Sequence, residues 1–466
     1  MKIAVLQPDY STSSVDYQYY DPARDLSLLL PNDEVHTIFL NKLTTYKQLK
    51  SLKSQGFDIF VNLCEGYLEW EVPSIDVIIA LDLLGLPYTG PNSLLYDPPK
   101  ELMKYVAYCD GVATPAYTIV EDGTSIEKSL THLNFPLFVK PAKAGDSLGV
   151  DQFSLVENKA ELLQKLEVTL PEYPQLLIEE YISGREFTVL VAANPDGKTV
   201  TSFKPIEYVF PEGYQFKTYD LKTVALHPKA NIPCNDPLIE NNLRNAAINI
   251  FKSFNGVGYA RLDFRLNENG KLYFLEINFT CSVFYQDGME GSADFILQFD
   301  GIGKAAFLKH IIDEGIARHQ RKQKKYIMKG NSIAGYGIYT VKNLLRGEIV
   351  FKGEERSQRL VTLEHVEKNW SLAEQENFRR YAYPVGKEVF IIWDNNPAEW
   401  APQNHSCNSN THFEGLNVIA SRNISEGEEL TLDYATFLDE HMEPFQCSCG
   451  EKNCKKVIKG TLIPNS

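Results

Sequence analysis

Positions 3–6 are apolar without interruption, the pattern of a strand buried on both faces, and positions 57–63 fit another strand, with helical spacing between and after them. An apolar helix expected at 75–84 stops at Gly85, ahead of Leu86-Pro87-Tyr88-Thr89-Gly90-Pro91. This alternation predicts an open α/β domain of about 95 residues. Further on, Phe138-Val139-Lys140-Pro141 closes an apolar strand. Two alternating runs, 258–266 and 271–278, flank the turn Asn267-Glu268-Asn269-Gly270 and read as a hairpin. Helical spacing over 305–316 leads into Arg318-His319-Gln320-Arg321-Lys322-Gln323-Lys324-Lys325, five basic residues in eight. Such a run suits a solvated helix end or linker, with docking of an acidic partner as the alternative. The last third changes to short apolar strands, after Gly335-Tyr336-Gly337 and at 350–354 and 390–394, around a polar, helical stretch at 357–388.

At 466 residues the chain is too long for one core, which predicts two or three domains. An apolar content of 44% with 12% aromatics indicates a globular protein. The balance of 46 basic against 61 acidic residues, net −15, argues against general nucleic-acid binding and leaves room for a lysine-rich protein substrate. No apolar run approaches the roughly 20 residues that span a bilayer. The start, Met1-Lys2-Ile3-Ala4-Val5-Leu6-Gln7, reads as a strand and not a signal peptide, so no membrane partner and a cytoplasmic location are expected. Cys64, Cys109, Cys234 and Cys281 are scattered and expected to be reduced thiols.

The hairpin carries the first candidate chemistry. If Leu266 pairs with Lys271 across a four-residue loop, Asp263 lies opposite Phe274 and Arg261 opposite Glu276. Alternation then puts Arg261, Asp263, Glu276 and Asn278 on one face, with Asp263 and Glu276 as diagonal neighbours roughly 7 Å apart or less. Two carboxylates so placed need cations between them, and hard oxygen ligands beside an arginine suit Mg²⁺ on nucleotide phosphates. A surface hairpin whose arginine neutralises its acids is the plainer alternative. Upstream, Lys140 is followed by Gly145-Asp146-Ser147-Leu148-Gly149, a loop whose amides can approach phosphate oxygens; a surface lysine beside a turn is the alternative there. Together these motifs resemble an ATP-grasp domain of the D-alanine–D-alanine ligase type from Lys100 to about residue 312, with a looser match in the first 98 residues. The resemblance implies that ATP is held by Lys100, Lys140, the loop with Gly145, Ser147 and Gly149, Glu179 near the base and Glu186 on the ribose. It implies Asp263, Glu276 and Asn278 as magnesium ligands and Arg261 as the catalytic arginine that steadies the transferring phosphoryl group. The resemblance also aligns Lys222 with a further phosphate-contacting lysine, beside a two-residue deletion. The segments that bind amino acids in that family are replaced here by Pro8-Asp9-Tyr10-Ser11-Thr12, Asn62-Leu63-Cys64-Glu65-Gly66 and Phe279-Thr280-Cys281-Ser282. ATP chemistry with an altered amino-acid or peptide substrate follows.

The second candidate site lies at 404–454. Here stand Asn404-His405-Ser406-Cys407, then Gly427-Glu428-Glu429-Leu430-Thr431-Leu432-Asp433-Tyr434, then Cys447, Cys449 and Cys454. The three late cysteines can converge on one ion, but zinc takes four ligands, and Cys407 is the nearest cysteine upstream. Taken singly, His405 and Tyr434 read as a loop histidine and a strand aromatic. In order and spacing the set resembles a SET-domain lysine methyltransferase with a post-SET tail. The resemblance implies S-adenosylmethionine held by Gly335, Gly337, Asn404 and His405, Tyr434 as the catalytic tyrosine, and Zn²⁺ held by Cys407, Cys447, Cys449 and Cys454. Leu432 stands where that family often has an aromatic residue that sets how many methyl groups fit, and Lys455-Lys456 replaces a common arginine–glycine pair.

The expected architecture is multidomain α/β and α+β: a pre-ATP-grasp α/β domain at 1–98, ATP-grasp at 99–315, a basic linker at 316–328, a mostly-β SET domain at 329–436 and a zinc tail at 437–466. The expected function is bifunctional, a carboxylate–amine ligase working through an acyl phosphate and a protein-lysine methyltransferase. Two alternatives stand beside it: a catalytically silent ATP-grasp scaffold that binds nucleotide or peptide for an active SET domain, and a working ligase with a non-catalytic SET zinc module. The ligase resemblance also raises the expectation of a homodimer.

Overall fold

The strand Lys2–Pro8 is apolar at successive positions because both of its faces are covered. It runs in the middle of a parallel three-stranded sheet, between Glu34–Leu40 and Ile59–Asn62. Ile3 and Val5 face one core with Ile59, Val61, Leu190 and Phe307, while Ala4 and Leu6 face a second with Phe60, Leu49, Val77 and Ile78. The helix Ile75–Leu84 spans the expected residues and ends at Gly85 in the left-handed conformation.

The computed structural model of the chain describes residues 1–13, 21–66, 71–121, 124, 126, 130–143, 149–216, 230–323, 325–331, 335–393, 403–441 and 443–460. These form two compact units, Met1–Lys322 and Gln323–Ser466. The expected boundary after residue 98 falls inside the first unit, since the core around Ile3 and Val5 also holds Leu190, Phe203, Tyr259 and Phe307. The stretch expected as a linker at 316–328 is occupied in large part by regular elements. The helix Gly303–Lys322 runs through its first part, and a strand, Tyr326–Asn331, starts before its end. Arg318 shows why: it is buried, and its guanidinium donates to the carbonyls of Gly90 (2.8 Å) and Tyr88 (2.7 Å). The basic run begins as a tertiary anchor, not as a solvated end.

Two antiparallel sheets complete the first unit. One has the order Tyr117–Glu121, Gln175–Glu180, Leu137–Pro141, Leu155–Val156. The other, six-stranded, centres on Arg185–Ala193 and Tyr259–Leu266, with Leu272–Asn278 at one edge. The helix Pro237–Ser253 packs behind it, its first turn capped by the Asp236 carboxylate on the amides of Leu238 and Ile239.

The second unit is mostly short strands. Gly335–Thr340 pairs with Tyr326–Asn331, and the two-residue strands Asn404–His405 and Thr431–Leu432 pair in parallel. The stretch 357–388, expected to be helical throughout, begins and ends in strands. Gln358–Thr362 and Tyr383–Gly386 flank Val389–Trp393, and the helices Leu363–Asn369 and Leu372–Tyr381 lie between them in sequence. The β-branched Val361-Thr362 suits the first of these strands. The second helix opens at a reciprocal cap between Ser371 and Glu374. Among the described residues no helix is long and apolar enough to cross a membrane.

Candidate functional site

Each unit carries one cluster of candidate residues. In the first, Asp263 sits directly opposite Glu276 and Arg261 directly opposite Asn278. The expected face is present, but the register that led to it is not. The loop holds five residues, since Leu266 pairs with Leu272, and a bulge separates the Asp263 and Phe264 pairs. The Asn267 side chain explains the longer loop: its Oδ1 accepts the amides of Asn269 (3.1 Å) and Lys271 (2.9 Å). Lengthening the loop by one residue would have turned Glu276 away from Asp263. The bulge restores the parity and makes the two carboxylates direct neighbours.

Cations already address this face. Arg261 Nε lies 3.3 Å from Asp263 Oδ1, and Lys100 Nζ lies 3.2 Å from Glu276 Oε2. The oxygens of Asp263, Glu276 and Asn278 form the hard, acidic donor set that Mg²⁺ takes, and the two cations suit phosphate oxygens. Behind them, Glu179 is buried and bridges two ammonium groups, Lys140 at 2.7 Å and Lys104 at 2.6 Å. Burial by itself would raise the Glu179 carboxyl, but the two lysines outweigh it and hold it at about 2. Lys104 moves down, because burial outweighs its ion pair with Glu179. Glu186 is engaged by Arg265, at 2.7 Å from Nη2 and 3.0 Å from Nε.

The Glu179 value sets an acid dependence. Its folded value lies below its ordinary 4.5, so its contribution to stability is complete above that value and is lost as pH falls toward 2. Glu179→Gln, which takes the carboxylate away from buried Lys104 and part-buried Lys140, is expected to destabilise the first unit at pH 7 by on the order of 3 kcal/mol. The gap between the urea midpoints of wild type and variant is expected to narrow as pH is lowered from 4.5 toward 2.

Lys104 carries no mark in the sequence motifs. It lies one helical turn after Lys100 on Lys100–Cys109, a spacing that places both on one face. Two other residues outside the motifs, Asp21 and Arg24, join the segments that depart from the ligase pattern. Arg24 is buried and donates to Asp21 (3.0 Å), Glu65 (3.4 Å) and the carbonyls of Leu63 (3.2 Å) and Val283 (3.0 Å). Tyr10 donates to Asp21 (2.5 Å), Tyr285 donates to Asp21 (3.0 Å), and Ser282 donates to Glu65. Cys281, whose thiol burial pushes up to about 12, feels both Arg261 and Glu65. That puts the Arg24 network within electrostatic reach of the face with the candidate metal ligands. Gly149 closes the candidate phosphate loop at φ +72°, where a Cβ would meet Pro141 Cγ at 2.6 Å. Gly145, Ser147 and Lys222 lie outside the described residues.

In the second unit, Tyr434 stands in a cavity of about 130 Å³ lined mainly by apolar and aromatic side chains, among them Tyr383, Trp393, Phe413, Leu432 and Phe437. Its hydroxyl donates to the Gln403 carbonyl, and burial pushes the phenol up, so it stays protonated. Tyr381 and Tyr383, near the end of the 357–388 stretch, also line the cavity. Asn404 spends its amide hydrogens on Tyr336 O and Glu429 Oε1, each at 2.7 Å. Glu429 Oε2 accepts from Asn331 at 2.9 Å. A Cβ on Gly337 would meet Glu429 Oε1 at 2.2 Å. Glu429, which has no role in the sequence motifs, thus ties Asn404 to the turn with Gly335 and Gly337. Burial pulls the His405 imidazole below its ordinary range, against the pull of Asp433.

The Sγ atoms of Cys407, Cys447, Cys449 and Cys454 lie within 4.8 Å of one another. A tetrahedral zinc shell with bonds of about 2.3 Å places its sulfurs about 3.8 Å apart, and the Cys407–Cys447 separation is 3.9 Å. Backbone amides point at the sulfurs: Lys455 at Cys407 (3.3 Å), Cys449 at Cys447 (3.5 Å) and Lys456 at Cys454 (3.4 Å). These donors suit thiolates, and the four cysteines fit zinc.

Residues 109–284 match the family model of the D-ala D-ala ligase C-terminus, and residues 335–435 match that of the SET domain. Similar proteins include the D-alanine–D-alanine ligase of Streptococcus thermophilus strain CNRZ 1066, 33% identical over 204 residues, which are 42% of this chain and 57% of that protein. The D-alanine–D-alanine ligase of Streptococcus pyogenes serotype M49 is 33% identical over 206 residues, with the same shares. The chain thus spans 57% of the length of these curated relatives. Among solved structures, the D-alanine–D-alanine ligase from Bacillus anthracis complexed with ATP aligns at TM-score 0.50 and 21% identity, over 69% of this chain and 100% of that one. The VanG D-Ala:D-Ser ligase from Enterococcus faecalis aligns at TM-score 0.52 and 18% identity, over 67% and 99%. The chain therefore carries a D-Ala–D-Ala ligase C-terminal domain on an ATP-grasp fold, followed by a SET domain.

Proposed function

We propose that the chain is two enzymes in one: an ATP- and Mg²⁺-dependent carboxylate–amine ligase, and an S-adenosylmethionine-dependent protein-lysine methyltransferase with a structural zinc. The directly opposed Asp263 and Glu276, flanked by Arg261 and Lys100, carry the ligase reading. ATP supplies the phosphoryl group that activates a carboxylate as an acyl phosphate, and an amine then displaces phosphate. Asp263, Glu276 and Asn278 hold the metal, Arg261 offsets charge on the transferring group, and the Glu179 clamp keeps Lys140 and Lys104 oriented. The Arg24 network, built where the ligase pattern is interrupted, supports an amino-acid or peptide substrate other than D-alanine. Transfer of ¹⁸O from a labelled substrate carboxylate into released phosphate tests the acyl phosphate step directly. Release of unlabelled phosphate only would remove it.

The methyltransferase reading is carried by Tyr434 in the aromatic cavity. S-adenosylmethionine supplies the methyl group, and alignment of the reacting atoms gives most of the acceleration. Tyr434 orients them, and the aromatic walls exclude water from the lysine amine. Transfer of label from S-adenosylmethionine to lysine in a protein or peptide library tests this reading. For the cysteine cluster, about one zinc per chain is expected. Its removal by a strong chelator is expected to lower the melting temperature of the second unit, as followed by calorimetry.

A further inference from the structure

The His405 ring sits between the cysteine cluster and the candidate catalytic tyrosine. The Tyr434 amide donates to Nδ1 at 3.1 Å, so Nδ1 is the acceptor nitrogen and the ring hydrogen stands on Nε2. Nε2 lies 3.4 Å from Cys407 Sγ. Cys407 thus takes two N–H donors, from Lys455 and from His405. Phe445 packs edge-on against both rings, with centroids 5.7 Å from His405 and 6.0 Å from Tyr434. The His405 side chain is 4% exposed, and both of its nitrogens are spent inside the protein.

We infer that the His405 side chain is a positioning residue: it joins the cysteine-held metal to the backbone of Tyr434 and makes no contact with the methyl donor. This rests on the reading that the four cysteines hold zinc and that Tyr434 orients the reacting groups. A thiolate that accepts an imidazole N–H is fixed in place, and the same ring then fixes the start of the turn at Tyr434–Thr436. The family resemblance assigns His405 to S-adenosylmethionine. The geometry leaves neither ring nitrogen of His405 for that contact, and the Asn404 amide hydrogens are committed to Tyr336 and Glu429.

The test uses the full chain with ¹¹³Cd in the cysteine site and ¹⁵N in its histidines. One imidazole Nε2 proton is expected to show scalar coupling to cadmium, with the Nδ1 of that ring unprotonated. This readout needs no variant. His405→Ala is then expected to lose zinc to a chromogenic chelator with affinity lower by about 10- to 100-fold. Its turnover in methyl transfer is expected to fall, while its Kd for S-adenosylmethionine stays within about threefold of wild type. If cadmium binds and no histidine proton couples to it, the relay is overturned while the metal reading stands. Unchanged zinc affinity with lost S-adenosylmethionine binding also overturns it, and makes the ring a ligand contact. A wild-type chain that binds neither zinc nor cadmium removes the metal reading and the relay with it.

Discussion

Replacement of Arg261 by methionine is expected to reduce amine-dependent phosphate release by about 10³-fold with little change in nucleotide affinity. The guanidinium lies 3.3 Å from Asp263 on the face that holds the candidate metal ligands. On that face, among the described residues, Arg261 and Lys100 are the cations beside the candidate metal ligands, while Lys104 and Lys140 pair with Glu179. Methionine keeps much of the side-chain length and removes the charge, so the packing against neighbouring strands is retained. The loss therefore belongs in kcat, which single-turnover measurements separate from binding. Equal losses in affinity and turnover would instead mark Arg261 as a ground-state phosphate contact.

Tyr434→Phe is expected to lower methyl transfer by about 10²-fold, the order of cost that a small misplacement of reacting atoms carries. The hydroxyl donates to the Gln403 carbonyl inside the cavity, so its loss frees both the carbonyl and the ring. Zinc content is expected to be unchanged, since the contacts that hold the cysteines involve backbone amides and His405. Label transfer and zinc content measured on one preparation read both halves. Zinc lost together with activity would mean that Tyr434 serves structure and not chemistry.

The parts of these sites that local pattern determines are legible in the amino-acid sequence. Alternation puts Arg261 with Asp263 on one strand face and Glu276 with Asn278 on one face of the other, and three late cysteines point to one ion, to which the SET resemblance adds Cys407. The register is not legible, because one Asn267 side chain sets a five-residue loop and the bulge that compensates for it leaves no mark in hydrophobic alternation. Lys104 reads as an ordinary helix lysine. Its burial depends on Glu179, 75 residues away, and spacing within one helix carries no information about that partner. Arg24 is hidden in the same way, since Glu65 and Val283, 41 and 259 residues off, decide its place. The basic run after residue 316 misleads because composition describes an average surface, whereas Arg318 meets two backbone carbonyls. The role of the His405 ring depends on which nitrogen faces which neighbour, and no spacing encodes that.

The most direct test of the two-enzyme reading is phosphate release by the full chain with Mg²⁺ and ATP, against a pool of amino acids and dipeptides, beside an Asp263→Asn control. Release that depends on the pool and vanishes in the control is the expected result. Nucleotide binding without pool-dependent turnover, in a preparation that still methylates protein, would contradict it and leave the first unit as a scaffold for the second.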